Sequence, residues 1–130
     1  MGINYIWDTN TAIYYLQQQF PKDGEKFIDE SLINSQPCFS VITEIELLCW
    51  KTTNEQDMEL LQNFIYDAMV IELNSPIKHK TADIRKAYKI KLPDAIIAAS
   101  SLVYGLHLIT RNISDFINID GLRLIDPFNL

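Results

Sequence analysis

The amino-acid sequence predicts an α/β domain, with a mostly parallel central sheet of about five strands flanked by helices on both faces. Short runs rich in apolar and β-branched residues alternate along the chain with longer stretches whose apolar residues recur at helical spacing. Such alternation is typical of βαβ units, in which the strands are parallel and helices cover the sheet. A length of 130 residues suits one domain, and no linker-like stretch or repeat interrupts it. We therefore expect residues 1–130 to form a single domain.

The first half of the chain contains three predicted strands, each short and rich in residues that favour strands. They are residues 3–7, 37–42 and 70–73. Apolar residues at helical spacing predict four helices between them. The predicted helices are residues 10–20, 24–33, 43–50 and 55–69. Pro21 is expected to end the first of these, because proline cannot continue the helical hydrogen-bond ladder.

The second half is predicted to contain two helices and two strands. Ser75 and Pro76 form a cap and first-turn pair at the start of a basic helix that runs towards Ile90. A strongly apolar helix begins near Pro93 and ends at Gly105, a residue suited to the left-handed conformation that follows many helices. The last two predicted strands are residues 107–110 and 122–125.

The charge of the chain is acidic overall but unevenly distributed. A net charge of −6 at pH 7 argues against a passive nucleic-acid-binding module, which would normally be basic. Yet six of the eleven Lys and Arg residues lie within residues 78–91, with a single acid among them. A solvated helix face and a surface that receives phosphates are both consistent with this basic run.

Cysteine usage, the N-terminal segment and the apolar runs indicate the cellular compartment of the protein. Cys38 and Cys49 form no C-x-x-C pair and the two histidines are far apart, so no zinc-like spacing exists and both thiols are expected to be reduced. The N-terminal segment has an acid where a signal peptide would need an apolar run. The apolar runs fall far short of the roughly 20 residues that span a bilayer. The sequence therefore predicts a cytoplasmic protein with no membrane partner.

Acidic side chains occur where strands end or helices begin. Asp8 directly follows the first predicted strand, and Glu46 lies in the predicted first turn of the helix after the second. Asp94 opens the apolar helix, and Asp115 follows the fourth predicted strand by a few residues. In open parallel sheets, ligands bind beyond the carboxyl ends of the strands. We therefore expect these carboxylates, which come from distant parts of the chain, to meet at one edge of the sheet.

Each acid also has a purely structural explanation. Asp8 fits a helix N-cap, and Asp94 fits a first-turn acid that interacts favourably with the helix dipole. Thr43 and Glu46 fit a capping box, with Thr at the cap and Glu three residues later. Asp115 resembles a turn residue. These explanations leave open why Asp94 has such apolar neighbours.

A cluster of carboxylates in an apolar crevice is unfavourable by itself, because the like charges repel one another and resist ionisation. A divalent cation removes this conflict, and oxygen-only ligands favour Mg²⁺ or Mn²⁺ over zinc. Acid clusters that hold such ions polarise a phosphoryl oxygen and generate hydroxide from water. The sequence therefore predicts a Mg²⁺ or Mn²⁺ site that includes Asp94.

Four segments, IWDTN, FSVITEIEL, LPDAIIAA and HLITRNISDF, occur in this order along nearly the whole chain. Together they resemble the PIN-domain nucleases, and most closely the VapC-like toxins of bacterial toxin–antitoxin pairs. The resemblance implies a PIN-like fold, an acid cluster that binds Mg²⁺ or Mn²⁺, and cleavage of single-stranded RNA. It also implies two protein partners: a small antitoxin that blocks the site, and a second copy of the chain in a homodimer.

The same resemblance assigns roles to individual residues. Asp8 and Asp94 are expected to ligate the metal directly, and Glu46 to help hold a metal or to orient the attacking water. The fourth acidic position of the family falls nearest Asn112, which cannot supply a charge, so Asp115, three residues on, is the alternative fourth acid.

Further contacts to substrate are expected from two places. Thr110 or Asn112 is expected to hydrogen-bond the attacking water or a phosphate oxygen. The basic run at residues 78–91 could add the rim that receives RNA phosphates.

Three other functions compete with a toxin. A housekeeping nuclease of the same fold, working in RNA maturation without a partner, has the same site residues. A binding module that kept the fold and lost catalysis is disfavoured by the presence of Asp8, Glu46 and Asp94. A metal-binding phosphatase is disfavoured because DTN lacks the second acid of a D-x-D nucleophile motif.

Overall fold

The computed structural model describes residues 2–130, and these residues form five strands and seven helices. The strands are β1 (Tyr5–Trp7), β2 (Cys38–Ser40), β3 (Met69–Ile71), β4 (His107–Ile109) and β5 (Leu124–Ile125). The helices are α1 (Thr9–Leu16), α2 (Lys22–Ile33), α3 (Val41–Leu48), α4 (Glu55–Asp67), α5 (Ser75–Ala87), α6 (Leu92–Tyr104) and α7 (Ile113–Phe116). Within residues 2–130, no helix is both long and apolar enough to cross a membrane.

The strands form one parallel sheet in the order β3-β2-β1-β4-β5, which confirms the predicted α/β class. Trp7 of β1 pairs with Phe39 of β2 on one side and with Ile109 of β4 on the other. Because all strands are parallel, their carboxyl ends lie at one edge of the sheet. The strand order reverses between β1 and β4, which is where open α/β sheets form a ligand-binding crevice.

Two apolar cores cover the two faces of the sheet. In β1, Ile6 packs with residues of α5 and α6, whereas the adjacent Trp7 packs with residues of α1, α2, α3 and α4. Both side chains are almost completely buried. Successive side chains of a strand point to opposite faces, so a strand covered on both sides reads in the sequence as a continuous apolar run. The prediction of helices on both faces is confirmed.

Among residues 2–130, α6 is the helix with the longest run of consecutive buried residues. All seven residues from Ala95 to Ser101 are buried, and the hydroxyl of Ser100 donates to the carbonyl oxygen of Ile96 within the helix. The helix ends at Gly105, whose φ of 66° lies in the left-handed region. Both predicted boundaries of this helix agree with the structure to within one residue.

The end of α1 differs from the prediction. The helix stops at Leu16, four residues before Phe20, and Gln18 adopts a positive φ of 55°. Phe20 leaves the helical path and packs its ring 5.7 Å from that of Phe128 near the C-terminus. Pro21 does not end α1 but serves as the N-cap of α2. A long-range aromatic contact therefore sets this boundary, and local periodicity could not reveal it.

Two helix starts also differ from the prediction. Val41 and Ile42, predicted to belong to the second strand, lie inside α3. The N-cap of α5 is Asn74 and not Ser75, because the side-chain oxygen of Asn74 accepts the backbone N–H of Ile77 at 3.0 Å. In both cases a side chain one or more residues upstream of the predicted cap satisfies the free backbone N–H groups.

The C-terminal tail, which follows β5, packs against α2 and the loop after β4. A Cβ atom on Gly24 of α2 would lie 1.9 Å from the carbonyl oxygen of Pro127, so only glycine permits this approach. The guanidinium of Arg111, in the loop after β4, lies 4.1 Å from the ring centroid of Phe128. The tail is therefore tied to the loop that follows β4.

Candidate active site

Asp8 is the first residue after β1 and the N-cap of α1. Its Oδ1 accepts the backbone N–H of Thr11 at 2.8 Å, and its Oδ2 accepts the hydroxyl proton of Thr110. The side chain is only 6% exposed, and this burial raises the pKa of Asp8 even though the hydrogen bonds from Thr110 and Thr11 act in the opposite direction. Asp8 is the N-cap of α1, as one explanation of the sequence held, but a cap alone needs no second partner from a residue as distant in the sequence as Thr110.

Thr110 orients Asp8 and the loop after β4. Its hydroxyl donates to Asp8 and accepts the backbone N–H of Asn112 at 3.0 Å. Its own backbone N–H donates to the carbonyl oxygen of Ile125 in β5. A hydroxyl has one proton, and Thr110 donates it to Asp8. Thr110 therefore has no proton left to donate to a phosphate oxygen.

The capping-box explanation of Glu46 is wrong. The N-cap of α3 is Ser40, whose hydroxyl oxygen accepts the backbone N–H of Ile42 at 3.1 Å. Thr43 therefore lies inside the helix, where it is fully buried, and Glu46 lies in the second turn and not the first. A side chain at that position cannot reach the free N–H groups at the start of the helix.

Glu46 is held by a chain of two threonines. The hydroxyl of Thr9 donates to Oε1 of Glu46 at 2.7 Å, and it lies 3.0 Å from the hydroxyl oxygen of Thr43. Because Thr9 has one proton and gives it to Glu46, Thr43 must be the donor in the second hydrogen bond. The exposed carboxylate of Glu46 is thereby connected to a buried residue of its own helix. Sequence reasoning missed Thr9 and gave Thr43 only a capping role, since nothing in the local pattern pairs residues as far apart as Thr9 and Glu46.

Asp94 lies in the first turn of α6, half-buried at the start of the apolar helix. Burial raises its pKa most, followed by the negative charges of Asp115, Asp8 and Glu46, while Lys91 acts in the opposite direction. The other three acids, which come from three different helices or their caps, are thus near enough for their charges to act on Asp94.

Asn112 and Asp115 form a pair at the exposed rim of this cluster. The side-chain amide of Asn112 donates to Oδ2 of Asp115 at 2.6 Å. Asp115 lies in α7, whereas the sequence predicted a turn residue. The side chain of Asn112 is neutral, so the negative charge of this pair comes from Asp115 alone.

The donors at this edge are oxygen atoms, which suit Mg²⁺ or Mn²⁺. Each oxygen of Asp8 accepts one hydrogen bond and keeps a second lone pair for a ligand. Among residues 2–130, no three His, Cys, Asp or Glu side chains are close enough to form a complete metal site. Mg²⁺ does not need one, because it usually keeps several waters and binds one or two carboxylates together with substrate phosphates. Asp8 and Asp94 fit that pattern.

An apolar groove of about 190 Å³ adjoins Glu46 between α1 and α3. Ile13 and Leu16 line it from α1, and Leu47 and Trp50 line it from α3 and the turn that follows. Two further apolar side chains of α3, Ile45 and Leu48, are more than half exposed. Exposed apolar surface beside a charged site is typical of a surface that another protein covers.

Comparisons with known proteins agree with this architecture. A family model described as PIN domain matches residues 5–122. A characterised relative, the tRNA(fMet)-specific endonuclease VapC of Salmonella typhimurium, is 26% identical over 132 aligned positions, which cover 95% of this chain and 98% of the relative.

Solved structures are similar over almost their full length. One is a DNA-bound VapBC complex from Salmonella typhimurium, with a TM-score of 0.83 and 25% identity, covering 97% of this chain and 99% of that one. Another is a toxin–antitoxin complex from Klebsiella pneumoniae, with a TM-score of 0.76 and 28% identity, covering 98% of this chain and 100% of that one.

The raised pKa of Asp94 predicts that Asp94→Asn stabilises the metal-free protein. A carboxyl whose pKa is raised on folding holds its proton more tightly in the folded state, so its contribution to stability is lost as pH rises through the folded-state pKa. The neutral, isosteric Asn variant should therefore have a higher Tm than the wild type at neutral pH in the presence of a chelator. The difference should vanish in acid, where Asp94 is protonated in the folded and unfolded states alike.

Asp23→Asn is the matched control, because Asp23 is an exposed acid in the first turn of α2. Losing its favourable interaction with the helix dipole should leave Tm unchanged or lower it, at a cost of about 0.3–1 kcal/mol. If Asp94→Asn lowers Tm in the same way, Asp94 is a helix-dipole acid and the account of repulsion among the acids is wrong.

Proposed function

The chain belongs to the PIN domain family, and from this premise we propose that it is a metal-dependent endoribonuclease that acts as the toxin of a toxin–antitoxin pair. The observation that carries the proposal is the buried carboxylate of Asp8, which lies directly after β1 where the strand order reverses. Burial and, after it, the negative charges of Asp115, Asp8 and Glu46 raise the pKa of Asp94. The 26% identical relative is an endonuclease specific for a tRNA, which supports RNA as the substrate. We propose single-stranded RNA, whose phosphodiester is not enclosed in a duplex.

In the proposed reaction, Asp8 and Asp94 would hold Mg²⁺ or Mn²⁺ through carboxylate oxygens. The bound ion supplies positive charge to the scissile phosphate and makes water more acidic. Glu46, fixed by Thr9, accepts a hydrogen bond from the attacking water and so orients it towards phosphorus. Asp115, held by Asn112, adds negative charge near Asp94 and would strengthen the attraction for a cation.

The proposed antitoxin binds across the same edge. The acid cluster attracts cations, so we propose that the partner inserts an Arg or Lys side chain among these carboxylates and blocks them. The apolar groove beside Glu46, with Trp50 at its end, would take an apolar segment of the same partner. The relatives from Salmonella and Klebsiella were solved as toxin–antitoxin complexes, which supports a partner of this kind. The homodimer and the cytoplasmic location stay predictions.

Metal-dependent cleavage tests the catalytic part of the proposal. The purified chain with Mg²⁺ or Mn²⁺ should cleave a single-stranded RNA oligonucleotide or a tRNA pool, as followed on a denaturing gel. Asp94→Asn should abolish cleavage, because removing a charged ligand removes several kcal/mol of transition-state stabilisation. Asp23→Asn should cleave like the wild type. Undiminished cleavage in excess chelator would contradict the proposal.

The threonine chain predicts that Thr9 acts through Glu46. Glu46→Gln should lower the cleavage rate roughly tenfold or more, which corresponds to at least ~1.4 kcal/mol of barrier. Thr9→Val removes the 2.7 Å hydrogen bond while keeping side-chain volume, and should lower kcat with little change in KM. Thr9→Ser, which keeps the hydroxyl, should restore most of the rate.

Two results would contradict this role for Thr9. Equal losses in Thr9→Val and Thr9→Ser would indicate a packing role for the side chain. A further loss when Thr9→Val is added to Glu46→Ala, which has no acceptor for the Thr9 hydroxyl, would show that Thr9 does not act through Glu46.

The toxin role predicts that expression of the chain alone arrests growth. Co-expression of the small reading frame adjacent to its gene should relieve the arrest. Trp50→Ala, in the apolar groove beside Glu46, should weaken relief and co-purification of the two proteins while RNA cleavage is retained. Ile33→Ala is the control, because Ile33 is 74% exposed but lies outside the groove. An active nuclease that is harmless when expressed alone would instead indicate a housekeeping RNase.

A further inference from the structure

A second groove, of about 590 Å³, leads from the acid cluster towards the end of α5. Its lining contains both acidic and basic side chains. Asp94 and Asp115 contribute negative charge to the lining, and Arg85, Lys89 and Lys91 contribute positive charge. We call this cavity the basic groove. It connects the candidate active site directly with three of the basic residues in the 78–91 run.

The backbone that carries these cations is held from both sides. The Nε–H of Arg85 donates to the carbonyl oxygen of Ile90 at 3.3 Å, which closes the turn between α5 and α6. The hydroxyl oxygen of Tyr88 accepts the backbone N–H of Asp120 at 3.1 Å, which ties the same turn to the segment after α7. The long side chains of Lys89 and Lys91 remain exposed. Cations on a fixed backbone lose less conformational entropy when they bind a ligand.

The other end of α5 faces a different part of the molecule. Lys78 and Lys80 do not belong to the described lining of the basic groove, and Lys78 precedes Arg85 by about 10 Å along the helix axis. The side-chain amide of Asn74, the cap of α5, donates to the hydroxyl of Tyr104 at the far end of α6. The basic groove therefore takes its three cations from the end of the basic run, whereas Lys78 and Lys80 lie nearer the start of α5.

We propose that the basic groove binds phosphates of the RNA strand on one side of the scissile bond. The inference rests on the proposed function, because it assumes that the acids act on RNA. A chain with a net charge of −6 repels a polyanion as a whole, so productive binding needs a local positive surface next to the acids. The basic groove supplies that surface. Lys78 and Lys80, although equally basic, take no part.

The test compares two double variants that remove the same charge, one from the end of α5 and the turn that follows it and one from the start of α5. Arg85→Gln/Lys89→Gln changes the basic groove, and Lys78→Gln/Lys80→Gln is the matched control. Binding of a fluorescein-labelled single-stranded RNA is measured by anisotropy over a range of salt concentrations. Both pairs are made in an Asp8→Asn background, which prevents cleavage. Asn can keep the cap of α1, so this background should fold.

We expect the groove pair to bind RNA more weakly, and its plot of log K against log salt to be shallower by about 1.4, or about 0.7 for each lost phosphate contact. The control pair should keep the slope of its parent. Lys89→Gln alone should show about half of the effect, which covers the case in which loss of the Arg85 hydrogen bond unfolds the double variant. In the catalytically competent protein, the groove pair should raise KM while kcat is kept.

Three results would overturn the inference. One is an equal loss of RNA affinity in the groove and control pairs, which would make net charge the cause. Another is an unchanged slope in the groove pair. The third is displacement of bound RNA by polyglutamate as effectively as by unlabelled RNA, which would indicate a general site for acidic chains. The binding measurement needs no cleavage. A chain that fails to cut RNA would contradict the proposed function, but RNA binding by the basic groove could still be measured.

Discussion

The buried carboxylate of Asp8 is the interaction on which the rest of the candidate site depends. It lies at the point where the strand order reverses, and it joins three elements: β1, which it follows, α1, which it caps, and the loop after β4, which it holds through Thr110. The hydroxyl of Thr11 and the backbone N–H of Asp8 both donate to the carbonyl oxygen of Ile109. The two central strands and the first helix are therefore fixed to one another around a single charge.

A charge buried at that position constrains everything placed near it. Asp94 enters the same region at the start of a helix whose next residues are buried, so its environment has a low dielectric constant and its charge interacts strongly with those of Asp115, Asp8 and Glu46. The repulsion among these acids destabilises the isolated fold and favours the binding of a positively charged group. We interpret this local conflict as a sign of function, because natural sequences break the rules of stability mainly at functional sites.

The sequence and the structure agree best where short-range patterns decide the outcome. The five strands, the buried helix α6 and its end at Gly105 follow from apolar periodicity and from the conformational freedom of glycine. They disagree where a distant residue intervenes. The path of the chain after α1 depends on the contact between Phe20 and Phe128, and the role of Glu46 depends on Ser40 capping α3 in place of Thr43. A capping box of Thr43 and Glu46 fits every local rule, but the prediction is wrong because Ser40 caps α3.

The sequence by itself determined that acids would gather at one edge, because parallel strands place their carboxyl ends together and the acids follow those ends. It also determined that Asp8 caps a helix. Only the tertiary structure decided which hydroxyl holds which acid, and which half of the basic run lies beside the acids. The physical reason is range: periodicity and capping act over a few residues, whereas Thr9 and Thr43 are 34 residues apart and Thr110 and Asp8 are 102 apart. Those contacts exist only once both faces of the sheet are covered.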